Sequence, residues 1–204
     1  MPRTLSEAEI ADFRERLCDV ATKQFGAHGP EGVTMRGLAA ALGVSPMTPY
    51  RYFKDKDEIL AAVQARAFDR FAEALEAPFA RGSAVPADPS ARGQAVGQAY
   101  VRFALDNPEA YRLMFEIALP DCEHYPELDR AAARARNTMT HYVRKLVEVG
   151  IFEGDPEVIG HVFWATMHGA VMLKLANKLA PGCDFARIVN EAFRALSEGF
   201  RRRS

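Results

Sequence analysis

Val33–Leu60 reads VTMRGLAAALGVSPMTPYRYFKDKDEIL, which predicts two short helices and the start of a third. The predicted buried face of the first helix comprises Met35, Leu38, Ala39 and Leu42. Gly43 is predicted to end that helix, because glycine tolerates the left-handed backbone found there. Ser45–Pro46 then supplies an N-cap and a proline at the first helical position. Two helices joined by so short a turn form a helix-turn-helix, which places its second helix in the major groove of DNA.

The side chains left on the outer face of this motif suit contact with nucleic acid. Between residues 33 and 56, four basic residues stand against the single acid Asp55, a local net charge of +3 in a chain of net charge −1. Such a concentration favours phosphate binding, although a solvated surface remains the alternative for each residue taken singly. The candidates are Arg36, Thr48, Tyr50, Arg51, Tyr52 and Lys56.

Lys56 occupies an unfavourable place for the stability of the third helix. Asp55 and Glu58 have the spacing of a capping box, which puts Lys56 at the positive end of the helix dipole. A cation there destabilises the helix slightly, but together with the free backbone N–H groups it forms a good phosphate site. The position therefore predicts a phosphate contact.

The same stretch matches a known pattern at Thr34, Arg36, Leu38, Ala39, Gly43, Val44, Ser45, Thr48, Tyr50, Tyr52, Phe53, Lys56, Ile59 and Leu60. It closely resembles the DNA-binding motif of TetR-family transcriptional regulators. The resemblance implies phosphate contacts from Thr34, Tyr50, Tyr52 and Lys56. It implies base contacts from Arg36 and from the start of the recognition helix, capped by Ser45 and formed by Pro46, Met47 and Thr48.

Pro49 departs from that pattern, which usually has leucine or phenylalanine at this position. Proline removes a hydrogen bond from the second turn and crowds the carbonyl four residues earlier. The recognition helix is therefore expected to begin as a looser turn. The apolar Pro46 and Met47 favour thymine methyl groups over hydrogen-bonded base edges.

The composition is that of an ordinary globular protein, with 49% hydrophobic and 26% charged residues among 204. Met1–Ile10 is polar, unlike a secretory leader, and no run reaches the roughly 18 apolar residues of a spanning helix. We therefore expect a cytoplasmic protein with no membrane contact.

The cysteines and histidines do not form a recognisable metal-binding pattern. Cys18, Cys122 and Cys183 are far apart and lack C-x-x-C spacing, so buried or idle thiols are expected. A zinc set can be drawn from Cys122, His124, His141, His168 and Cys183, but its spacing matches no common zinc site. No metal or other cofactor is expected.

Helical patterns continue through the rest of the chain, and no segment alternates as a strand does. We predict an all-α fold with a three-helix DNA-binding head over residues 1–57 and a helical bundle for ligand binding and dimerisation over 58–204. The first helix is predicted over Ser6–Phe25, ended by Gly26 and Gly29, and the resemblance adds Arg3 as a phosphate contact. Later helices are predicted from Asp55 to Pro78, from Pro89 to Asp106, and over Glu109–Leu119, Glu127–Val149, Glu157–Leu179 and Asp184–Phe200.

One cluster in the second half predicts either a ligand pocket or a packed core. Trp164, His168 and Met172 recur at helical spacing, and aromatic and methionine residues of earlier helices are their expected neighbours. Both interpretations fit an apolar lining with few polar groups. The segment Trp164–Gly169 also resembles the Trp-His-Gly type of TetR-like C-terminal domain. The candidate ligand-binding residues are Phe103, Met114, Phe115, Met139, Tyr142, Trp164, His168 and Met172.

The last two helices predict a dimer interface. The final helix carries a regular apolar stripe, and the helix before it is apolar nearly all round. In the resembling family the last two helices of each subunit form a four-helix interface, whereas the alternative is that both helices cover the chain's own core. The candidate interface residues are Gly160, Phe185, Ile188, Val189, Ala192, Phe193 and Leu196.

The leading hypothesis is a homodimeric repressor of double-stranded operator DNA, released by a small apolar or amphipathic effector. Two DNA-binding heads about 34–36 Å apart would read a near-palindrome. One alternative is a DNA-binding regulator without an effector. Another is a small helical enzyme using His141 or His168 as a base, which no recognisable catalytic motif supports.

Overall fold

The computed structural model describes residues 6–83, 88–119 and 124–202. Arg3 and Cys122, named above as a candidate phosphate contact and a candidate zinc ligand, lie outside these ranges. The helices are α1 (Glu7–Gly32), α2 (Met35–Ala41), α3 (Lys56–Glu76), α4 (Pro89–Asp106), α5 (Pro108–Glu116), α6 (Pro126–Glu148), α7 (Pro156–Leu175) and α8 (Phe185–Phe200). The predicted all-α fold is confirmed: over these ranges, the extended pairing consists of one isolated bridge between Phe152 and Arg201.

The chain divides into two compact units. The first comprises Met1–Phe68 and Glu109–Ala132, and the second comprises Asp69–Pro108 and Ala133–Ser204. Helices α3 and α6 each contribute residues to both units. The division of function between residues 1–57 and 58–204 remains a prediction.

The first unit is built around a closed apolar core. Helix α1 contributes the stripe Phe13, Leu17, Cys18, Ala21 and Phe25, whose exposed fractions run from 0% to 6%. The N-terminus of α1 is held by a complete capping box, in which Ser6 and Glu9 satisfy each other's backbone N–H groups. Gln64 on α3 is buried in this unit and donates to the carbonyls of Leu113 and Ile117, at 2.7 and 2.8 Å.

The predicted end of the first helix is wrong at Gly26. This residue lies inside α1, where an added Cβ would come within 2.8 Å of the Cβ of Glu109 on α5. Its small size is needed for close packing of two helices rather than for chain termination. Gly29, with a φ of 67°, is the residue that interrupts the regular helix, and Pro30 follows it.

Two later helices are shorter than predicted. Helix α5 ends at Glu116 rather than Leu119, next to the carbonyls that Gln64 binds. Helix α7 ends at Leu175 rather than Leu179, and Asn177 follows in the left-handed conformation with a φ of 53°. The bounds of α4 agree with the prediction, and those of α6 and α8 differ by one residue.

The second unit contains α4, α7 and α8 with parts of α3 and α6. Arg134 on α6 binds both carboxylate oxygens of Glu76 on α3, at 2.9 and 2.6 Å, and reaches Asp69 at 3.1 Å. Thr138 also donates to Glu76. The hydrogen bonds from Arg134 lower the pKa of the Glu76 carboxyl below its ordinary value.

Helix α7 is long and apolar enough to meet the criteria for a membrane span by length and composition alone. Buried helices of proteins that stay in water meet the same criteria, so this is weak evidence for a membrane. Of its most apolar window, 33% is buried within the chain.

Candidate nucleic-acid interface

The first helix of the predicted motif forms as expected. Thr34 is the N-cap of α2, and its hydroxyl oxygen accepts the backbone N–H of Gly37 at 3.0 Å. Met35, Leu38 and Ala39 are buried in the core of the first unit. Gly43 adopts a φ of 68°, which confirms the predicted left-handed end of this helix.

The predicted second helix is not an α-helix in the structure. Ser45–Phe53, here called the recognition turn, contains consecutive turns and a 3₁₀ segment over Pro49–Arg51. The carbonyl of Ser45 accepts from the N–H of Thr48 at 2.8 Å, because Pro49 has no N–H to donate from the fourth position. Ser45–Pro46 therefore starts a turn rather than a regular helix, and the looser start expected from Pro49 extends through the whole segment.

Burial separates the predicted DNA-contacting residues from the residues that hold them. Pro49 and Phe53 are buried, whereas the side chain of Met47 is 66% exposed and that of Tyr50 is 47% exposed. The remaining candidates on the surface are Thr34, Arg36, Ser45, Pro46 and Arg51, which are exposed, and Thr48, Tyr52 and Lys56, which are half-buried. The structure thus leaves every predicted DNA-contacting side chain at least partly accessible.

Lys56 has a partner within the chain. Its ammonium donates to the carbonyl of Pro30 at 3.0 Å and lies 3.8 Å from the carboxylate of Glu31. Asp55 caps α3 by accepting the N–H of Glu58 at 2.9 Å. The predicted capping box is only half formed, because the Glu58 carboxylate accepts from the N–H of Lys54 instead of that of Asp55.

Two residues of α1 touch the recognition turn, and sequence reasoning missed one of them, Arg14. The ring of Phe13 stacks on the ring of Tyr52, with centroids 4.2 Å apart and planes inclined by 23°. Arg14 donates to the carbonyl of Tyr52 at 2.6 Å, and its guanidinium lies 4.0 Å from the centre of the Phe53 ring. The available signal was the position of Arg14 beside the apolar stripe of α1, one turn before Cys18.

Within the second unit, the predicted ligand-binding residues do not line one common cavity. Met139, Tyr142 and Trp164 meet in the second unit, around a crevice with a free volume of about 30 Å³. Ligand pockets typically hold roughly 300–1,000 Å³, so this crevice is too small for a ligand. Met139 and Trp164 also line a second cavity of about 300 Å³, together with Arg136 and His161. Burial raises the pKa of the Tyr142 hydroxyl well above its ordinary value.

The other predicted ligand-binding residues lie elsewhere. Met114 and Phe115 belong to the first unit, where the Phe115 ring packs edge-on against Phe68 at 5.7 Å. Phe103 packs against Phe71 in the second unit, at 5.2 Å. His168 and Met172 are half-buried on α7 and do not line the crevice. A sequence repeat of four residues put these side chains on one helix but could not place them in one cavity.

A larger cleft lies beside that crevice in the second unit. It has a volume of about 640 Å³ and is lined by α4, α7, α8 and the end of α6. We call it the α8 cleft. Its apolar lining includes Phe152, Met167, Val189 and Phe193, and its polar lining includes Gln94, Asn190, Ser197 and Arg201.

The apolar stripe of α8 is only partly covered in the single chain. No described residue of this helix is buried, and Phe185, Ile188, Val189, Ala192, Phe193 and Leu196 are all half-buried. On α7, Val158 and Leu173 are 58% and 48% exposed. Gly160, also predicted at the interface, is buried instead, and an added Cβ would come within 2.6 Å of Thr140 on α6. Its small size is therefore explained by packing within the chain.

The described cysteines and histidines give no evidence of a metal site. Cys18 is buried, and burial raises the pKa of its thiol, whereas Cys183 is exposed. Within residues 6–83, 88–119 and 124–202, no group of three histidine, cysteine or acidic side chains is arranged to hold a metal ion.

Two family models match the chain. Residues 17–63 match the model described as bacterial regulatory proteins of the tetR family, and residues 94–198 match the tetracyclin repressor-like C-terminal domain. The chain belongs to the TetR family of transcriptional regulators. The predicted function class is thereby confirmed: this is a DNA-binding regulator rather than an enzyme.

Relatives of known sequence or structure agree with this assignment. An HTH-type transcriptional regulator of Mycobacterium tuberculosis is 26% identical over 159 residues, which cover 76% of this chain and 66% of that protein. The chain thus spans about two thirds of that regulator's length. HTH-type regulators of Staphylococcus aureus are 38% identical over 63 residues, which cover 31% of this chain and 34% of theirs.

Two solved structures show the same fold. A protein of unknown function from Rhodococcus sp. RHA1 superposes with a TM-score of 0.82 and 25% identity, covering 99% of this chain and all of that one. The TetR family transcriptional regulator PfmR from Thermus thermophilus superposes with a TM-score of 0.70 and 21% identity, covering 92% of this chain and all of that one.

Proposed function

We propose that this TetR-family regulator is a cytoplasmic homodimeric repressor that binds a near-palindromic operator and is released by a small effector. The observation that carries the proposal is the division of burial in the motif. Pro49 and Phe53 anchor the recognition turn in the core, while its candidate contact residues stay exposed or half-buried. A rigidly held segment with accessible cationic and hydroxyl groups suits docking in the major groove.

The proposed DNA contacts are of two kinds, to phosphates and to base edges. Thr34, Tyr50, Tyr52 and Lys56 bind phosphates, together with Arg51 beside them. Arg36 and the exposed start of the recognition turn, Ser45–Thr48, contact base edges. Met47 supplies an apolar surface for thymine methyl groups, since its side chain is 66% exposed.

A second copy of the chain covers α7 and the side of α8 that does not line the α8 cleft, at Phe185, Ile188, Ala192 and Leu196. The apolar stripe of α8 has no fully buried residue in the single chain, and Val158 and Leu173 of α7 are exposed. Large apolar side chains along two adjacent helices favour association with a matching surface. Symmetric pairing of these helices would carry two recognition turns to successive major grooves, about 34–36 Å apart.

The α8 cleft is the proposed effector site, in place of the aromatic cluster. Its volume of about 640 Å³ lies within the range of ligand pockets. Phe152 and Phe193 give it an apolar wall, and Gln94, Asn190 and Arg201 supply polar groups, so an amphipathic molecule suits it. The cleft shares Met167 and Phe193 with the lining of the small crevice near Trp164, the only tryptophan of the chain. An effector could therefore alter the fluorescence of this residue.

The first test is fluorescence anisotropy on DNA from upstream of the regulator's own gene, with a scrambled duplex as control at several salt concentrations. The proposal expects tight, salt-dependent binding that prefers the upstream DNA. Equal affinity for both duplexes at every salt concentration would contradict docking at that DNA. Denatured samples are then analysed by mass spectrometry for a retained small molecule.

The effector site is tested with a pair of alanines on α4. Ala91 lines the α8 cleft, whereas Ala99 lies on the same helix outside it. Ala91→Phe is expected to abolish release of the operator by an effector found in a screen, and Ala99→Phe is expected to leave release intact. Equal release from both variants would exclude the cleft.

A regulator without an effector is the second candidate, and the small crevice at Met139, Tyr142 and Trp164 favours it. In that case no compound would change Trp164 fluorescence or operator affinity, and the amount of protein in the cell would control repression. We also propose that the C-terminal domain is of the Trp-His-Gly type, as Trp164, His168 and Gly169 suggest.

A further inference from the structure

The recognition turn does not support its own conformation. Its backbone bonds are limited to short-range contacts, in which the carbonyl of Thr48 accepts from Arg51 and the carbonyl of Pro49 accepts from Tyr52 and Phe53. A regular helix of this length would be marginal in water, and Pro49 removes one of its donors. The orientation of the exposed residues must therefore come from contacts with the remainder of the first unit.

Two consecutive residues of α1 make such contacts. Phe13 lies under the ring of Tyr52, and Arg14 donates to the Tyr52 carbonyl while its guanidinium covers the ring of Phe53. Phe13 is 6% exposed and Phe53 is 2% exposed, so both rings are fixed in the core. Neighbouring helix residues project about 100° apart, which lets the pair hold the turn from two sides.

We propose that Arg14 is a positioning residue for DNA recognition, which fixes the end of the recognition turn without itself contacting DNA. A guanidinium offers several donors in a flat fork and an aromatic-stacking face, and Arg14 uses both properties at once. Its hydrogen bond satisfies a carbonyl at the end of a turn that has no following helical N–H to accept from. Losing this bond would let Tyr52 and the residues before it rotate relative to the groove.

This inference rests on the docking of the recognition turn proposed above, and its prediction differs from that for a phosphate contact. A residue that binds phosphate contributes to all sequences alike and to the salt dependence of binding. A residue that sets the orientation of the turn contributes mainly where base edges are read, because base contacts depend more strongly on orientation than the phosphate contact proposed for Tyr52. Removing Arg14 should therefore lower operator preference and leave the salt slope on scrambled DNA unchanged.

The experiment compares Arg14→Met with wild type and with the control Lys23→Met. Both changes remove one cation from α1 and keep an unbranched side chain, but Lys23 is exposed and remote in sequence from the stripe residue Phe13. The full chain is titrated onto a duplex that the wild type has selected from random-sequence DNA, and onto a scrambled duplex, at several salt concentrations.

We expect Arg14→Met to reduce affinity for the selected duplex about ten- to a hundredfold, the range for losing a hydrogen bond to a charged group. Affinity for the scrambled duplex should change less than twofold, about 0.4 kcal/mol, as it should on both duplexes for Lys23→Met. Equal weakening on both duplexes with a salt slope lower by about one would show a direct phosphate contact and overturn the proposal. Unchanged preference for the selected duplex would also overturn it.

A second variant decides the matter if Arg14→Met does not fold. Arg14→Lys keeps the charge and one donor for the Tyr52 carbonyl, but it cannot lay a flat group on the Phe53 ring. A folded Arg14→Lys protein with partly reduced operator preference supports the positioning role, and one with equal losses on both duplexes contradicts it. If the wild type itself selects no preferred duplex, the docking proposal fails, and the failure is not that of Arg14.

Discussion

Helices α1 and α8 carry similar apolar stripes but bury them differently. In α1 the residues Phe13, Leu17 and Phe25 are at most 6% exposed, because α2, α3 and α5 close around them within the first unit. In α8 the equally regular stripe contains no buried residue. The same sequence pattern therefore has two outcomes, and the proposed dimer accounts for the difference, because a second copy of the chain would complete the cover of the α8 stripe.

A charge in the α8 stripe should have the largest effect. Ile188→Asp places a carboxylate on the proposed dimer surface, where burying an unpaired charge is costly. We expect a folded monomer in sedimentation velocity and an operator affinity lower by about 10²–10⁴-fold, the usual gain from two linked binding sites. Arg187→Asp is the control, since Arg187 is exposed on the same helix outside the α8 cleft and receives the same carboxylate. A dimeric Ile188→Asp protein would show that the interface lies elsewhere.

A cavity in the α1 stripe should lower stability without changing the oligomeric state. Leu17 is 0% exposed, and Leu17→Ala removes buried volume in a core that cannot fully collapse. We expect the free energy of unfolding, measured with denaturant, to fall by about 2–5 kcal/mol. Leu196→Ala in α8 is the comparison, and its smaller effect should depend on protein concentration. Concentration dependence for Leu17→Ala instead would contradict a core closed within the chain.

Removing the cation of Lys56 should weaken DNA binding only moderately. Lys56→Ala is expected to lower affinity for all sequences alike and to reduce the salt slope by about one, because one phosphate contact is lost. Arg36→Ala should instead relax sequence preference at a cost of about 1–3 kcal/mol. Anisotropy titrations at several salt concentrations separate the two. An unchanged salt slope for Lys56→Ala would indicate that the Lys56 ammonium binds the Pro30 carbonyl, to which it donates at 3.0 Å, and not a phosphate.

The smallest expected effect concerns the ion pairs of Arg134, which lie in neither stripe. Hydrogen bonds from Arg134 lower the pKa of Glu76, so this carboxylate stabilises the fold above its unfolded pKa and loses that contribution as the pH falls through its folded pKa. The wild type should therefore lose more stability on acidification below about pH 4.5 than Glu76→Gln. Because the Glu76 side chain is 42% exposed, the difference should stay below about 1 kcal/mol. Identical pH profiles would show that the pair contributes nothing.

Periodicity was sufficient to predict where α1 to α8 lie, because each carries apolar residues at helical spacing. Asp88, Asp155 and Asp184 are the N-caps of α4, α7 and α8, which begin within one residue of their predicted starts. The role of Gly26 was predicted wrongly, because the sequence does not distinguish a glycine that ends a helix from one that allows two helices to pack closely. The sequence predicted a loose start to the recognition helix but not that the whole segment is a turn, since the effect of Pro49 on its neighbours depends on which other donors are near.

The candidate site shows a similar limit. The residues expected at the DNA lie within one continuous stretch, so local spacing was enough to name them. The contacts of Arg14 and Lys56 join residues 38 and 26 positions apart, which no local pattern reveals. The ligand-binding residues proposed from the sequence come from several helices, and Met114 and Trp164 belong to different units, so local spacing could not show whether they share a cavity.

The most direct test of the account is the mass of the protein bound to its selected operator duplex, measured by sedimentation equilibrium with and without DNA. The proposed homodimer predicts a free species of twice 22.6 kDa and a complex that contains two chains per duplex. A protein of 22.6 kDa that binds the whole operator with full affinity as a single chain would contradict it, and would mean that the α8 stripe serves another partner.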